Sequence, residues 1–396
     1  MDKRLQSGRN LNLDVLRGIA IFLVIGRHIW FEFPDGLFGK IAFRWQFIGW
    51  VGVDLFFVLS GFLITGLLFN ELQRHGKLKI GHFLIRRGFK IYPPYYVFMG
   101  YCIFFPVLKE ALKGGDSLSL LRENLALTWP CLLFIQNYVG EIPWGHTRIS
   151  WGPTWSLGVE EHFYIFLPFL LFFLARKNRL SFAPLVFFVL LGVCLLLRCL
   201  AVARWSEDTN YIYMASHHRF DALFCGVAIR FTAQYMPDVF ARLGSRPWLC
   251  LALGGLAWLP ICFWEQMTDM THTLGLTLTL IGAGLFLIGA FHLTGRHFGA
   301  LAPVIKQGAK AIGWVGFHSY SIYLWHVQVL WWVYVYFVQR LEGELGNGLV
   351  EWLVFNLIAV SGIVVVGVIM TKVVEKPSLA LRERFWPSRA SALKSA

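Results

Sequence analysis

The residues with the clearest chemical potential are ionisable side chains inside long apolar segments. The segment LDVLRGIAIFLVIGRH contains Asp14, Arg17 and His28. On an α-helix, the step from Arg17 to His28 returns to within roughly 20° of the same direction and covers about 16 Å along the axis. Asp14 falls on the same face, one turn before Arg17. Ionisable groups inside a membrane are costly and usually functional. We therefore predict a functional face on this segment, because snorkelling near an interface suits Arg17 moderately and His28 poorly.

A second candidate set lies at the start of the segment WSLGVEEHFY. Ser156, Glu160 and Tyr164 are spaced i, i+4 and i+8, so they share one face of a helix, and Glu161 adjoins it. The alternative is a solvated helix start. Because the aromatic segment WGPTW precedes the two carboxylates and a long apolar run follows them, we predict that at least one points into the bundle. The spacing leaves open which one.

A third polar stripe lies in HSYSIYLWH, where Ser319, Tyr323 and His326 occupy positions i, i+4 and i+7. A histidine in this place is equally compatible with hydrogen-bonded packing and with chemistry.

Opposite charges inside a bundle usually pair, so the acid and the arginine of RFDALFCG fit a structural ion pair as well as a site. The further candidates are Asp54 of GVDLFFVLSGF and Arg219 and Asp221 of RFDALFCG.

The segment RRGFKIYPPY supplies a cluster of cations, Arg86, Arg87 and Lys90. We predict a loop here that ends in a rigid Pro-Pro turn. Basic loops usually fix the orientation of a membrane protein. Three cations beside a rigid turn are also able to hold phosphate groups.

The elements that position these candidates must be membrane-crossing helices. Of the 396 residues, 57% are hydrophobic and only 15% are charged, whereas soluble domains carry about 25% charged residues. A membrane-spanning helix needs roughly 20 apolar residues. We predict an all-α integral membrane protein, a polytopic bundle of about ten transmembrane helices. The predicted spans are 11–31, 49–70, 91–112, 155–175, 182–203, 220–235, 248–263, 274–293, 313–338 and 349–370.

The distribution of charge predicts the orientation of the chain in the cytoplasmic membrane. Basic residues cluster in alternate short loops, as the positive-inside rule requires. This pattern places both termini in the cytosol and leaves 124–138 as an interfacial or re-entrant segment. The net charge of +13 forms no continuous basic stripe on a soluble surface, so nucleic acid is not an expected partner. The seven cysteines form no CxxC pair and no metal-ligand spacing, and no metal is expected.

At these segments the sequence closely resembles the membrane-bound acyltransferase 3 family of bacteria. The matching segments are LDVLRGIAIFLVIGRH, GVDLFFVLSGFLIT, RRGFKIYPPYY, WSLGVEEHFY, RFDALFCG, SYSIYLWH and VVEKP. They follow the order of the family and extend over nearly the whole chain. On this resemblance, residues 1–378 form the transmembrane acyltransferase domain and residues 379–396 form a short basic cytosolic tail.

The resemblance implies a bundle of about ten helices and O-acylation of an extracytoplasmic carbohydrate by acyl-CoA. His28 matches the essential histidine of the family, and Arg17 matches its partner arginine. Arg86 or Arg87 matches the first arginine of an Arg-x-x-Arg motif. Lys90 stands where the second arginine is expected, so it keeps the charge but loses bidentate phosphate geometry.

The predicted reaction is direct transfer. Acyl-CoA, most simply acetyl-CoA, is the co-substrate, with its phosphates at Arg17 and the basic loop. Neutral His28 removes a proton from an acceptor hydroxyl, which attacks the thioester, and Glu160 or Glu161 orients the base or the acceptor. The acceptor is a carbohydrate or glycolipid. The alternative is a transporter or flippase that uses intramembrane His, Asp and Arg residues as a substrate or proton site, although the sequence shows no inverted repeat.

Overall fold

Every regular element in the described part of the chain is a helix. The computed structural model describes residues 10–29, 31–139, 152–177, 179–204, 209–264, 268–340 and 348–387. Trp151 of the WGPTW segment and residues 388–396 of the predicted tail lie outside these ranges. The helices are α1 Leu11–Arg27, α2 Gly36–Ile48, α3 Val51–His75, α4 Ile80–Leu112, α5 Ser117–Leu132, α6 Trp155–Arg176, α7 Ala183–Arg204, α8 Thr209–Met214, α9 Phe220–Tyr235, α10 Pro237–Leu243, α11 Pro247–Trp258, α12 Leu276–His292, α13 Ala302–Phe317, α14 Ser319–Arg340, α15 Gly348–Met370 and α16 Lys376–Phe385.

The all-helical membrane class is confirmed, but the count of ten spans is not. Within the described ranges, seven helical segments are long and apolar enough to cross a bilayer. The helices at three other predicted spans, α1, α9 and α11, have 17, 16 and 12 residues. At 1.5 Å per residue they reach only about 26, 24 and 18 Å, against a hydrocarbon core of roughly 30 Å. Their apolar patterns do fold as helices, but these helices are shorter than a full crossing.

Two helices end earlier than the predicted spans do. Helix α1 ends at Arg27, and His28 is its C-cap with φ −102° and ψ 9°, whereas the sequence predicted a helix to residue 31. The span predicted at 313–338 is two helices, because His318 leaves the helical conformation with φ −93° and ψ 5°. The polar stripe therefore begins a new helix, α14, at Ser319.

The predicted basic loop and Pro-Pro turn are wrong. Helix α4 runs without a break from Ile80 to Leu112, with Pro93 and Pro94 inside it. Proline in a helix interior removes one backbone hydrogen bond and normally breaks or kinks the helix, which is why the sequence suggested a turn. Membrane helices tolerate proline because neighbouring groups satisfy the freed carbonyls. Here Pro93 frees the carbonyl of Phe89, four residues earlier, and the Ser378 hydroxyl donates to that carbonyl at 2.5 Å.

Glycines allow α1 to lie directly against α13. A Cβ atom on Gly316 would lie 1.8 Å from the carbonyl oxygen of Asp14, and one on Gly18 would lie 2.4 Å from that of Ile312. Small residues permit this close backbone approach in membrane helix pairs. Helix α1 is thereby fixed against its neighbour, and so are the ionisable residues that it carries.

Candidate active site

A pair of histidines joins the first polar stripe to the third. His28 Nδ1 lies 3.2 Å from His326 Nε2, and the two ring centroids are 4.9 Å apart. His326 is fully buried, whereas His28 keeps some exposed surface. The sequence indicated both histidines separately, and only the packing of α14 beside the end of α1 brings them together.

Backbone carbonyls determine which nitrogens of this histidine pair carry hydrogen. His28 Nδ1 lies 2.9 Å from the carbonyl oxygen of Val24, and His326 Nδ1 lies 2.6 Å from that of Tyr323. Because a carbonyl can only accept, each Nδ1 carries the hydrogen when the ring is neutral. His326 Nε2 is then an acceptor for the Nδ1–H of His28. The remaining nitrogen, Nε2 of His28, keeps the lone pair that a general base needs.

Tyr323 and Ser156 connect the histidine pair to the start of α6. The Tyr323 hydroxyl donates to the carbonyl of Pro153 at 2.7 Å and lies 2.6 Å from Ser156 Oγ. Both side chains are buried. They secure the short 3₁₀ turn Gly152–Thr154, and the Tyr323 ring centroid lies 5.4 Å from that of His326. Ser319 lies buried in the first turn of α14, two turns before His326.

A second polar centre lies around Arg87 and Tyr164. Arg87 Nη2 donates to the Tyr164 hydroxyl at 2.7 Å, and its guanidinium lies 4.4 Å from the centroid of the Tyr164 ring. The same hydroxyl lies 2.8 Å from Glu160 Oε2 and 2.6 Å from Ser60 Oγ. Arg17 is within electrostatic range of Arg87 and Glu160 and lies 3.7 Å from Asp14. We call Arg17, Arg87 and Lys90 the arginine cluster.

Lys90 adds a further positive charge at this centre, but Arg86 does not. Lys90 lies within electrostatic range of both Arg17 and Arg87. On α4, Lys90 is three residues from Arg87 and four from Arg86, so helix spacing alone lets it share a face with either arginine. Arg86 instead pairs with Glu383, at 2.8 Å. Of the three cations that the sequence grouped, Arg87 and Lys90 therefore belong to the Arg87–Tyr164 centre, and Arg86 belongs to the contact with Glu383.

The two adjacent carboxylates of α6 also have different partners. Glu160 faces the Arg87–Tyr164 centre, while buried Glu161 accepts a hydrogen bond from the Tyr92 hydroxyl at 2.5 Å. In the described part of the chain, the hydrogen bonds of these two carboxylates go to tyrosines and not to the histidine pair. The structure thus places Glu160 on the side of the arginine cluster and Glu161 against α4.

The acids and arginines of the other apolar segments form two buried ion pairs. Asp54 pairs with Arg219 at 2.8 Å, and Asp221 pairs with Arg198 at 2.8 Å. An ion pair between Arg219 and Asp221 was a sequence-based alternative, and the structure gives each of them a different partner. Arg219 also lies 4.8 Å from the centroid of the Tyr213 ring. These pairs connect α3 to the start of α9 and α7 to α9.

Sequence reasoning missed several participants. Arg198 and Glu375 are ionisable residues in apolar segments, so the cost argument applied to His28 could have found them. Glu375 is buried and accepts a hydrogen bond from Ser321 Oγ at 3.2 Å. No sequence signal indicated Tyr92, because one tyrosine among many aromatic residues is not distinctive.

Comparisons with known proteins identify the family of the chain. The sequence model of the acyltransferase domain family, acyltransferase 3, matches residues 10–372. Peptidoglycan O-acetyltransferase OatA of Listeria monocytogenes is 26% identical over 81% of this chain and 49% of its own length. Two relatives provisionally named as O-acetyltransferases, from Staphylococcus aureus and Bacillus subtilis, are each 26% identical over 82% and 80% of the chain, and 51% and 48% of their own lengths. The chain thus spans about half the length of these relatives. No solved structure is significantly similar to it.

Proposed function

Because the chain belongs to the acyltransferase 3 family, we propose that it is a membrane-bound O-acyltransferase that moves an acyl group, most simply acetyl, from acyl-CoA to a hydroxyl of an extracytoplasmic carbohydrate. The contact between His28 and His326, 3.2 Å long, is the observation that carries this proposal. It supplies a general base whose protonated form has a hydrogen-bond acceptor in place.

The donor is acyl-CoA with its pyrophosphate at the arginine cluster. Arginine and lysine form strong charge-assisted hydrogen bonds with phosphate oxygens. Arg17 lies in the second turn of α1 and His28 caps its C-terminal end, about 16 Å away along the helix axis. The pantetheine arm covers this distance and brings the thioester to His28, while the nucleotide stays at the cytosolic end.

The transfer step needs one proton relay. His28 Nε2 removes the proton of the acceptor hydroxyl as its oxygen attacks the thioester carbonyl carbon. The new C–O bond forms, the C–S bond breaks, and the CoA thiolate takes the proton from His28. While His28 is an imidazolium, its Nδ1–H donates to His326 Nε2, which stabilises the positive charge inside the bundle.

The acceptor approaches from the opposite side of the membrane, past the Gly152–Thr154 turn that Tyr323 and Ser156 secure. Carbohydrate is the favoured class because the relatives' names specify O-acetyltransferases and, for OatA, peptidoglycan. The arginine cluster then faces the cytosol, and the protein lies in the cytoplasmic membrane with both termini cytosolic.

The test is release of CoA from acetyl-CoA by the purified protein in lipid nanodiscs, with and without a glycan acceptor. We expect acetyl transfer in the wild type and a loss of about 10²–10⁴ in rate in His28→Ala. His318→Ala is the matched control, because His318 is also a helix C-cap whose Nδ1 lies 2.9 Å from the carbonyl four residues before it.

Two results would contradict the proposal. Full turnover in His28→Ala would exclude this histidine as the base. Glycolipid or organic-acid movement across vesicles without any acetyl transfer would favour the transporter alternative.

A further inference from the structure

The last described helix docks on the first turns of α4, beside the arginine cluster. Ser378 Oγ donates to the carbonyl of Phe89 at 2.5 Å, and the rings of Trp386 and Phe89 lie 5.4 Å apart. Arg86 donates to the carbonyl of Trp386. These contacts fix α16, which the sequence assigned largely to a short tail, against the proposed donor site.

Glu383 on α16 is held between two arginines. Its Oε1 accepts from Arg86 Nη2 at 2.8 Å, from Arg382 Nη2 at 2.6 Å and from Arg382 Nε at 3.1 Å. Arg86 is therefore committed to anchoring the helix. Glu383 binds one edge of the Arg382 guanidinium and thereby fixes its orientation, and Nη1 of Arg382 takes no part in that contact.

Arg382 belongs electrostatically to the donor site. Its charge acts on Lys90 together with those of Arg17 and Arg87. Glu375 is an acid whose charge also acts on Lys90. The Arg382 side chain is 20% exposed, so a ligand from the cytosolic side can reach it. Arg17, Arg87 and Arg382 thus all lie within electrostatic range of Lys90, and Arg382 is the one contributed by the peripheral helix.

We propose that Arg382 binds the 3′-phosphate of CoA, while the arginine cluster binds the pyrophosphate. This inference rests on the proposed function. The pyrophosphate adjoins the pantetheine arm, so it lies at Arg17, on the helix that leads to His28. The 3′-phosphate sits on the ribose beyond the pyrophosphate and therefore lies farther from His28, where α16 closes the site. Glu383 positions Arg382, and Arg86 positions Glu383.

The experiment compares the affinity of the full-length protein for acetyl-CoA and for acetyl-3′-dephospho-CoA. A hydrogen bond to a charged group is worth about 1.5–3 kcal/mol, or about 10–100-fold in affinity. The wild type should prefer acetyl-CoA by at least about tenfold. Arg382→Gln should reduce this preference to near one by weakening acetyl-CoA binding alone, and Arg382→Lys should restore part of it.

Arg384→Gln is the matched control, because Arg384 is an exposed cation on the same helix and, two residues from Arg382, points to the opposite side of that helix. It should keep the wild-type preference for acetyl-CoA. A wild type that binds both donors equally would overturn the inference without requiring any variant to fold. A folded Arg382→Gln protein with the wild-type preference would also overturn it. Failure of the wild type to bind either donor would instead refute the proposed function.

Discussion

His326 Nε2 lies 3.2 Å from His28 Nδ1, although 298 positions separate the two residues in the chain. His28 is the C-cap of a helix that stops at Arg27, and His326 lies within the continuous helix α14. The His326 ring, held within a helix, thus contacts the His28 ring, which lies at a helix end. This arrangement predicts a division of labour in which His28 exchanges protons with substrate and His326 stabilises the resulting charge.

We expect His326→Ala to lower kcat by about 10–100-fold, which is the value of one hydrogen bond to a charged group. Acetyl-CoA affinity should be unchanged, because the arginine cluster is intact. The double variant His28→Ala/His326→Ala should be no slower than His28→Ala, since residues that act as a unit are not additive. Steady-state kinetics on the four proteins measures this, and additive losses would show that the histidines act independently.

Arg87→Gln should weaken acetyl-CoA binding by about tenfold or more, because it removes a charge-assisted contact with phosphate. Its use of a phosphate-free acetyl thioester should stay at the wild-type level. Arg87→Lys should recover only part of the affinity, since lysine lacks the planar fork. Equal losses with both donors would mean that Arg87 supports the fold through Tyr164 and does not bind phosphate.

Single changes in the pair Asp54 and Arg219 should destabilise the protein strongly. Breaking a buried ion pair costs about 3–5 kcal/mol, because one charge stays buried without its partner. The double variant Asp54→Leu/Arg219→Met should recover much of the loss. Thermal unfolding in detergent reports the midpoints, and a double variant as unstable as the sum of the singles would contradict the coupling.

A reporter that is active only outside the cytosol should be silent when fused at Ala396, because the positive-inside rule places the C-terminus in the cytosol. The same reporter at Asp116, between α4 and α5, should be active. Fluorescence or enzymatic activity of the two fusions in cells gives the result. A signal at Ala396 would reveal an odd number of crossings.

The local patterns in the sequence predicted the helices, and the cost of buried charge indicated which residues to examine. Glu160 and Tyr164 were placed on one face by their i, i+4 spacing, and they share a hydrogen bond. The sequence predicted helices at α9 and α11, but it predicted them as full crossings, because hydropathy cannot distinguish a full crossing from a shorter apolar helix.

The partner of each buried charged residue could not be predicted in the same way. The ion pairs join helices that are distant in the chain, Asp54 with Arg219 and Asp221 with Arg198. A single sequence does not show which residues of two such helices lie opposite each other. The same limit hid Arg382, whose relation to Lys90 depends on how α16 folds back onto α4. The predicted turn at Pro93 failed for a different reason, since the membrane changes what a helix tolerates.

Arg17 lies in α1 and His28 caps the same helix, and the close backbone contact between Gly316 and Asp14 holds that helix against α13. The anchor for the donor's charged head and the base for its reactive end are therefore held at one separation. This separation selects donors by length. A carrier shortened by even one β-alanine unit, while still bound by its phosphates, would leave its thioester below His28. Such an analogue would occupy the site without reacting and would act as a competitive inhibitor.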